Sequence, residues 1–174
     1  MKITFSRLTT PTPEIAATLN EWENDLTLIP FIRPNPTEKD LENRETLTVE
    51  SLQQKLKYNQ MFFIYLDGQL VGEISFQLDP PHLYKKELGT AWISITIGIE
   101  SARGRGIGVR AMEYLEAQVR DQGLKRIELG VFEFNSPAIG LYKKMGYKEI
   151  GRIKDFTFYQ GEMWADIRME KYLR

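Results

Sequence analysis

The 174-residue chain contains no cysteine and a single histidine, His82. Because disulfides and thiolate nucleophiles both require cysteine, the sequence excludes them, and it is compatible with a reducing compartment. One imidazole is too few for the usual histidine-rich zinc sites, and His82 would have to be the base of any Ser-His-Asp triad. The composition therefore argues against thiol chemistry and against a bound metal.

The sequence also lacks a dominant charge and a long apolar run. It has 23 lysines and arginines against 24 aspartates and glutamates, a net charge of −1, so no global positive field favours nucleic acid or an anionic membrane. No stretch approaches the roughly 18 apolar residues of a membrane span, and the first residues show no signal-peptide core. We expect a cytoplasmic protein, monomeric or homodimeric, with neither nucleic acid nor membrane as a partner.

Helix-like and strand-like segments are mixed along the chain, which we expect to form a single domain over residues 1–174. Asp67-Gly68 and Gln160-Gly161 each separate two strand-like segments and predict hairpin turns. Pro30, Pro34 and Pro36 interrupt residues 29–39, where we expect no regular helix. Strands joined partly by hairpins and partly by helices predict an α/β fold with a mixed, mostly antiparallel sheet of about six to seven strands, flanked by about four helices.

The most informative stretch is Arg-Gly-Arg-Gly-Ile-Gly at residues 103–108. It follows the alternating apolar strand pattern of residues 91–99 and precedes residues 108–119, whose apolar spacing is that of a buried helix face. Glycines let the backbone approach a ligand closely, and the N-terminus of a helix attracts anions, so the stretch predicts a phosphate-binding turn. An ordinary strand-to-helix turn with solvated arginines is the alternative.

Comparison with known glycine-rich motifs indicates which kind of phosphate-binding turn residues 103–108 resemble. A P-loop needs Gly-Lys-Ser/Thr, which is absent, and the third glycine comes too early for a Rossmann fingerprint. The remaining pattern, Arg-x-x-Gly-x-Gly at Arg103, Gly106 and Gly108, resembles the coenzyme A pyrophosphate motif of the GNAT superfamily of acyl-CoA-dependent N-acyltransferases. The resemblance extends from Met61 to the C-terminus and is greatest to the ribosomal-protein and amino-group acetyltransferase branch.

The resemblance implies a GNAT-like fold and acetyl-CoA as the acyl donor. In this family the strand before the turn splays from its neighbour, and the freed backbone groups bind the pantetheine arm; Gly98 falls at that point. A glycine inside a strand also indicates a bulge or a close backbone approach, or else a simple strand defect. The residues that the resemblance assigns to the cofactor are Ile97, Gly98, Ile99, Arg103, Gly104, Arg105, Gly106, Ile107, Gly108, Val109, Asn135, Ala138 and Tyr142.

Tyr142 matches the family tyrosine that faces the sulfur of coenzyme A. A phenol is protonated at neutral pH, so it can donate to a departing thiolate; the alternative is an ordinary residue of an amphipathic helix. Asn135 matches the asparagine that hydrogen-bonds the pantetheine arm, and a helix cap at the same position is compatible with that role.

The general base is less clearly encoded. Many relatives place a glutamate on the strand before the turn, where this chain has Trp92, Ser94 and Thr96 on the polar side. Glu73, on the preceding strand, is the best substitute, either as a base acting through water or as an anchor for a cationic substrate; an outward-facing strand residue is the alternative. Glu128 and Glu133 are weaker candidates.

Little in the sequence identifies the acceptor. Trp22, Phe31 and Trp92 are candidates for an aromatic wall, with the proline-containing loop as one side of the pocket, although aromatic residues are more often core and such a loop can be a stiff connector. We therefore expect an N-acetyltransferase that acts on a primary amine of a small molecule or a protein N-terminus. The alternative is a non-catalytic acyl-CoA-binding module, which the missing strand glutamate favours.

Overall fold

The computed structural model describes residues 1–174 and is centred on one seven-stranded sheet in the order β1-β2-β3-β4-β5-β7-β6. The strands are β1 (Ile3–Arg7), β2 (Asn59–Leu66), β3 (Gln69–Leu78), β4 (Thr90–Ile97), β5 (Arg126–Phe132), β6 (Lys148–Tyr159) and β7 (Glu162–Tyr172). The helices are α1 (Pro13–Glu23), α2 (Ile29–Ile32), α3 (Val49–Lys55), α4 (Ile107–Asp121) and α5 (Ser136–Lys144). Only β4 and β5 pair in parallel, so the predicted mixed α/β sheet is confirmed.

Both predicted hairpins form. Asp67 and Gly68, at φ 48° and 86°, turn β2 into β3, while Gln160 and Gly161, at φ 48° and 84°, turn β6 into β7. Two consecutive residues with positive φ give the turn twist that antiparallel strands favour. These turns fix the register of the hairpins locally.

Each face of the sheet carries its own apolar core. On one face, the buried side of α4 (Ile107, Met112, Leu115 and Val119) packs with β2–β5 and β7. On the other, Leu19 and Trp22 of α1 pack with Leu52 of α3 against Met61 and Phe63 of β2. The sheet is therefore covered on both sides. A cavity that reaches both faces must pass through a gap between two strands.

Two elements differ from the prediction. Residues 29–32 form one helical turn, α2, because Pro30 lies in its first turn, where the missing N–H has no partner to lose. β4 ends at Ile97, before Gly98 and Ile99, whereas the alternating strand pattern reached residue 99.

None of the helices combines the length and the apolarity that crossing a membrane requires.

Candidate active site

The sheet opens between β4 and β5. The two strands pair only from Thr90 to Trp92 on β4 and from Arg126 to Glu128 on β5, and a cavity of about 740 Å³ occupies the space beyond. The separation therefore starts after Trp92, earlier than the point at Gly98 that the sequence suggested. Residues from both faces of the sheet line the same cavity, so it provides a passage through the sheet.

The glycine turn lies at the start of α4. Gly104 and Gly106 have φ of 69° and 77°, and a Cβ built on either would meet no atom within 4 Å. No side chain caps the helix, so its first N–H groups lack partners within the helix. Arg105, Arg110 and Lys144 line an adjoining pocket of about 410 Å³. The turn thus combines open space, free N–H donors and positive charge, which suit a phosphate group.

Arg103 does not point into this turn. Its Nε donates to the Ile97 carbonyl at 3.0 Å and its guanidinium to the Gly98 carbonyl at 3.4 Å. The side chain therefore holds the backbone at the end of β4 and links it to the turn.

Gly98 is approached by a side chain of the protein itself. A Cβ at this position would lie 2.1 Å from the Trp22 ring, and the Gly98 N–H donates to the Val71 carbonyl at 2.8 Å. Trp22 belongs to the core beneath α1 and is not a lining residue of the cavity. The close approach that the glycine predicted is thus present, and Trp22 makes it. Whether Gly98 also binds a cofactor stays a prediction.

Tyr142 and Asn135 both line the α5 side of the cavity. Burial alone raises the pKa of Tyr142 to about 12, so the phenol is protonated at neutral pH. The Asn135 side chain caps α5 by accepting from the Ala138 N–H at 3.4 Å. Gly108 also lines the cavity, and a Cβ there would lie 3.0 Å from Leu141, so the glycine allows α4 and α5 to pack closely.

The opposite end of the cavity is aromatic. Its ring-bearing lining residues on this side are Phe31, His82, Trp92, Phe132 and Phe156. The loop that carries Phe31 is fastened to β6: the Asn35 N–H donates to Thr157 Oγ1 at 2.8 Å, and the Phe158 N–H donates to the Asn35 carbonyl at 2.7 Å. The proline-containing segment therefore forms a wall of the cavity.

Glu73 lies beside the cavity and is not among its lining residues. It is opposite Thr96 in the sheet, and its Oε2 is buried without a hydrogen-bond partner. Burial raises the pKa of Glu73, partly offset by Lys55 and reinforced by Glu23. A role for Glu73 in activating or holding the amine stays a prediction.

The two weaker candidates are engaged elsewhere. Glu128 is fully buried and accepts from the Tyr84 and Lys85 N–H groups and from Arg126. Glu133 pairs with Arg152 at 2.6 Å at the surface. Neither carboxylate is available to a ligand in the cavity.

Replacing Glu73 by glutamine should reveal the cost of burying its charge. Its pKa is raised on folding from 4.5, so wild type loses stability as the pH rises from about 4.5 toward the folded-state pKa, whereas glutamine does not ionise. We therefore expect the melting temperature of Glu73→Gln, relative to wild type, to be higher at about pH 7.5 than at about pH 4. Calorimetry would measure the melting temperatures at both pH values, with the exposed Glu162→Gln variant as the control. The same relative value at both pH values would contradict a buried carboxyl group at position 73.

Three charged residues that line the cavity, Arg33, Asp166 and Arg168, were not among the candidates predicted from the sequence. Asp166 and Arg168 are 3% and 4% exposed and lie on β7, where charged residues alternate with apolar ones at positions 166, 168 and 170. That period of two was visible in the sequence and indicated a strand with one polar face. Which elements would cover this face was not visible, because β7 pairs with β5, which is distant in sequence.

Comparison with known proteins is consistent with this geometry. An uncharacterized N-acetyltransferase of Bacillus subtilis, YdgE, is 35% identical over 80 residues, which cover 46% of this chain and 48% of that protein. The spermine/spermidine N(1)-acetyltransferase of the same organism is 30% identical over 95 residues, 54% of this chain and 62% of that protein. The matches thus span less than two thirds of these relatives.

A solved structure extends the likeness to the whole fold. The ribosomal-protein-alanine N-acetyltransferase from Brucella melitensis superposes with a TM-score of 0.72 at 22% identity, covering 98% of this chain and 99% of that chain. The model of the acetyltransferase (GNAT) family matches residues 18–147, and so begins well before Met61, where the resemblance in the sequence began. This match covers more than half of the chain, which therefore belongs to the acetyltransferase (GNAT) family.

Proposed function

We propose that the protein is an N-acetyltransferase domain, residues 1–174, that transfers an acetyl group from acetyl-CoA to a primary amine. The observation that carries the proposal is the passage between β4 and β5, which joins the α5 side of the cavity to its aromatic end. A donor and an acceptor entering from opposite faces of the sheet would meet there. The relatives' names include acetyltransferases of spermine/spermidine and of a ribosomal protein's alanine, which supports amines in general as acceptors.

The α4 side of the cavity fits coenzyme A. The diphosphate would lie at the turn of residues 103–108, where Gly104 and Gly106 leave open space and the N–H groups of Ile107, Gly108 and Val109 begin the helix. Arg105, Arg110 and Lys144 supply the positive charge that such a polyanion requires. The pantetheine arm would pass residues 97–99 and Asn135 and reach Tyr142.

Acyl transfer from a thioester to an amine needs the reactants held together, a proton taken from nitrogen and a proton supplied to sulfur. The cavity offers a donor and an acceptor one shared space. Tyr142, protonated at neutral pH, is placed to donate to the departing thiolate. Because its pKa is about 12, the phenol keeps its proton until the C–S bond breaks, and it then donates that proton to the departing sulfur.

A thiol-release assay with acetyl-CoA and a panel of primary amines, including a peptide with a free N-terminus, tests the function. We expect release of coenzyme A above the no-enzyme rate for at least one amine, with the acetylated product confirmed by mass spectrometry. Background rates with every amine, together with tight acetyl-CoA binding, would instead indicate a non-catalytic acyl-CoA-binding module.

The proposal includes a cytoplasmic location, a monomeric or homodimeric state and no nucleic acid or membrane partner. The absence of cysteine and the net charge of −1 support it. Sedimentation velocity of the purified chain would establish the oligomeric state.

A further inference from the structure

A carboxylate lies where β4 and β5 begin to separate. Asp166 is 3% exposed and lines the cavity with Trp92 and Gly130. Gly130 is the second residue of β5 beyond its last pairing with β4, at Glu128. A Cβ at position 130 would lie 2.8 Å from Oδ2 and 3.0 Å from Oδ1 of Asp166. The missing side chain at this position therefore makes the space that the carboxylate occupies.

Arg168 fixes the carboxylate from one side. Its Nε donates to Asp166 Oδ2 at 2.8 Å and its guanidinium to the His82 carbonyl at 2.9 Å. The guanidinium also lies 4.7 Å from the Trp92 ring centre, a cation–π contact. These contacts hold the arginine and, through it, Oδ2. Oδ1 takes no hydrogen bond from the chain and can accept one from a ligand in the cavity.

We propose that Asp166 receives the acceptor amine, in a pocket suited to a primary amine with one positive charge and an apolar, preferably aromatic, body. This inference rests on the N-acetyltransferase function proposed above. It places on β7 a carboxylate for the role that the sequence analysis gave to Glu73 on β3.

The proton balance gives Asp166 a catalytic task. As the amine nitrogen bonds to the thioester carbon and the C–S bond breaks, a proton leaves nitrogen for Oδ1, and the thiolate takes the proton of Tyr142. Exchange with water returns both groups to their starting states. Burial raises the pKa of Asp166 despite the opposing effect of Arg168, which makes the carboxylate a better base. The other charged or titratable groups nearby, His82 and Glu128, contact Arg168 rather than Asp166.

The charges around the cavity favour a monoamine over a polyamine. Asp166 is its only acidic lining residue, whereas Arg33 and Arg168 are both cationic. Burial, followed by Arg168, lowers the pKa of His82, so this imidazole is neutral at neutral pH. A second ammonium group would meet like charge, while an apolar body would contact the rings of Phe31, Phe132 and Phe156.

Steady-state kinetics with acetyl-CoA and either 2-phenylethylamine or spermidine test the inference. We expect wild type to have a higher kcat/KM for 2-phenylethylamine. Asp166→Asn keeps an oxygen for Arg168 but removes the base, so kcat/KM should fall about 100-fold. In wild type we expect the rate to rise with pH as Asp166 ionises; this rise should be absent in Asp166→Asn, while the Kd of acetyl-CoA stays the same. Asp155→Asn, an exposed site of the same hairpin, is the matched control and should behave as wild type.

These measurements distinguish a failure of the inference about Asp166 from a failure of the proposed function. A preference for spermidine would overturn the substrate class, and an unchanged rate and pH profile in Asp166→Asn would overturn the role of the residue, with the proposed function intact in both cases. Wild type that binds acetyl-CoA but acetylates no amine would overturn the proposed function itself. If Asp166→Asn also loses acetyl-CoA binding, the Gly130→Ala variant tests the role of Asp166 instead, because its methyl group would displace the Asp166 carboxylate. The inference then requires the same loss of kcat/KM with acetyl-CoA binding retained.

Discussion

Replacing Gly106 by tryptophan is expected to abolish acetyl-CoA binding. Gly106 precedes α4 with φ of 77° and with empty space where a side chain would project. An indole there would fill the space for the diphosphate and block its approach to the first N–H groups of the helix. Isothermal titration calorimetry of acetyl-CoA into the purified variant measures the effect, and we expect no detectable heat of binding.

Backbone strain must be separated from this steric effect. A non-glycine residue in the left-handed region costs about 1–2 kcal/mol. A binding titration of Gly106→Trp alone would not distinguish the effect of this strain from the effect of the blocked space. Gly123, just beyond the C-terminal end of α4, has the same φ of 77° and equally empty surroundings. Gly123→Trp therefore carries similar strain away from the turn and should bind acetyl-CoA as wild type does. Wild-type affinity in Gly106→Trp would show that the diphosphate binds elsewhere.

Features that depend on neighbouring residues were predictable from the sequence. Asp67-Gly68 turns β2 into β3 and Gln160-Gly161 turns β6 into β7, because tight turns are set by a few consecutive residues. The glycine turn before α4 was recognisable for the same reason. Its space and its N–H groups belong to one short stretch of chain.

Features that depend on pairing between distant strands were not predictable. Gly98 suggested a ligand approaching the backbone, yet the group in contact is the Trp22 ring, brought there by the packing of α1 on the sheet. Asp166 reaches the cavity only because β7 lies beside β5, with residue 166 opposite Phe132. A strand pattern specifies which face a residue occupies, but not which strand is its neighbour. The acceptor side of the site therefore emerged only from the structure.

Replacing Tyr142 by phenylalanine is expected to lower turnover by roughly 10²- to 10⁴-fold, the usual range for general acid catalysis. The ring remains, so its packing in the core and its edge-on contact with Tyr147 at 5.9 Å are kept. What is lost is the proton donor at the α5 side of the cavity. The Kd of acetyl-CoA should change little, because we expect the hydroxyl to meet only the sulfur.

Two measurements distinguish this role from alternatives. Because the pKa of Tyr142 is about 12, the phenol stays protonated from about pH 6 to about pH 9, and the ratio of wild-type to variant turnover should be constant over that range. Tyr114→Phe removes a hydroxyl from α4, where the ring stacks on Phe5 at 4.2 Å and does not line the cavity, and should leave turnover unchanged. A loss of affinity without a loss of turnover would make Tyr142 an anchor for the cofactor. Full activity of Tyr142→Phe would mean that water protonates the thiolate.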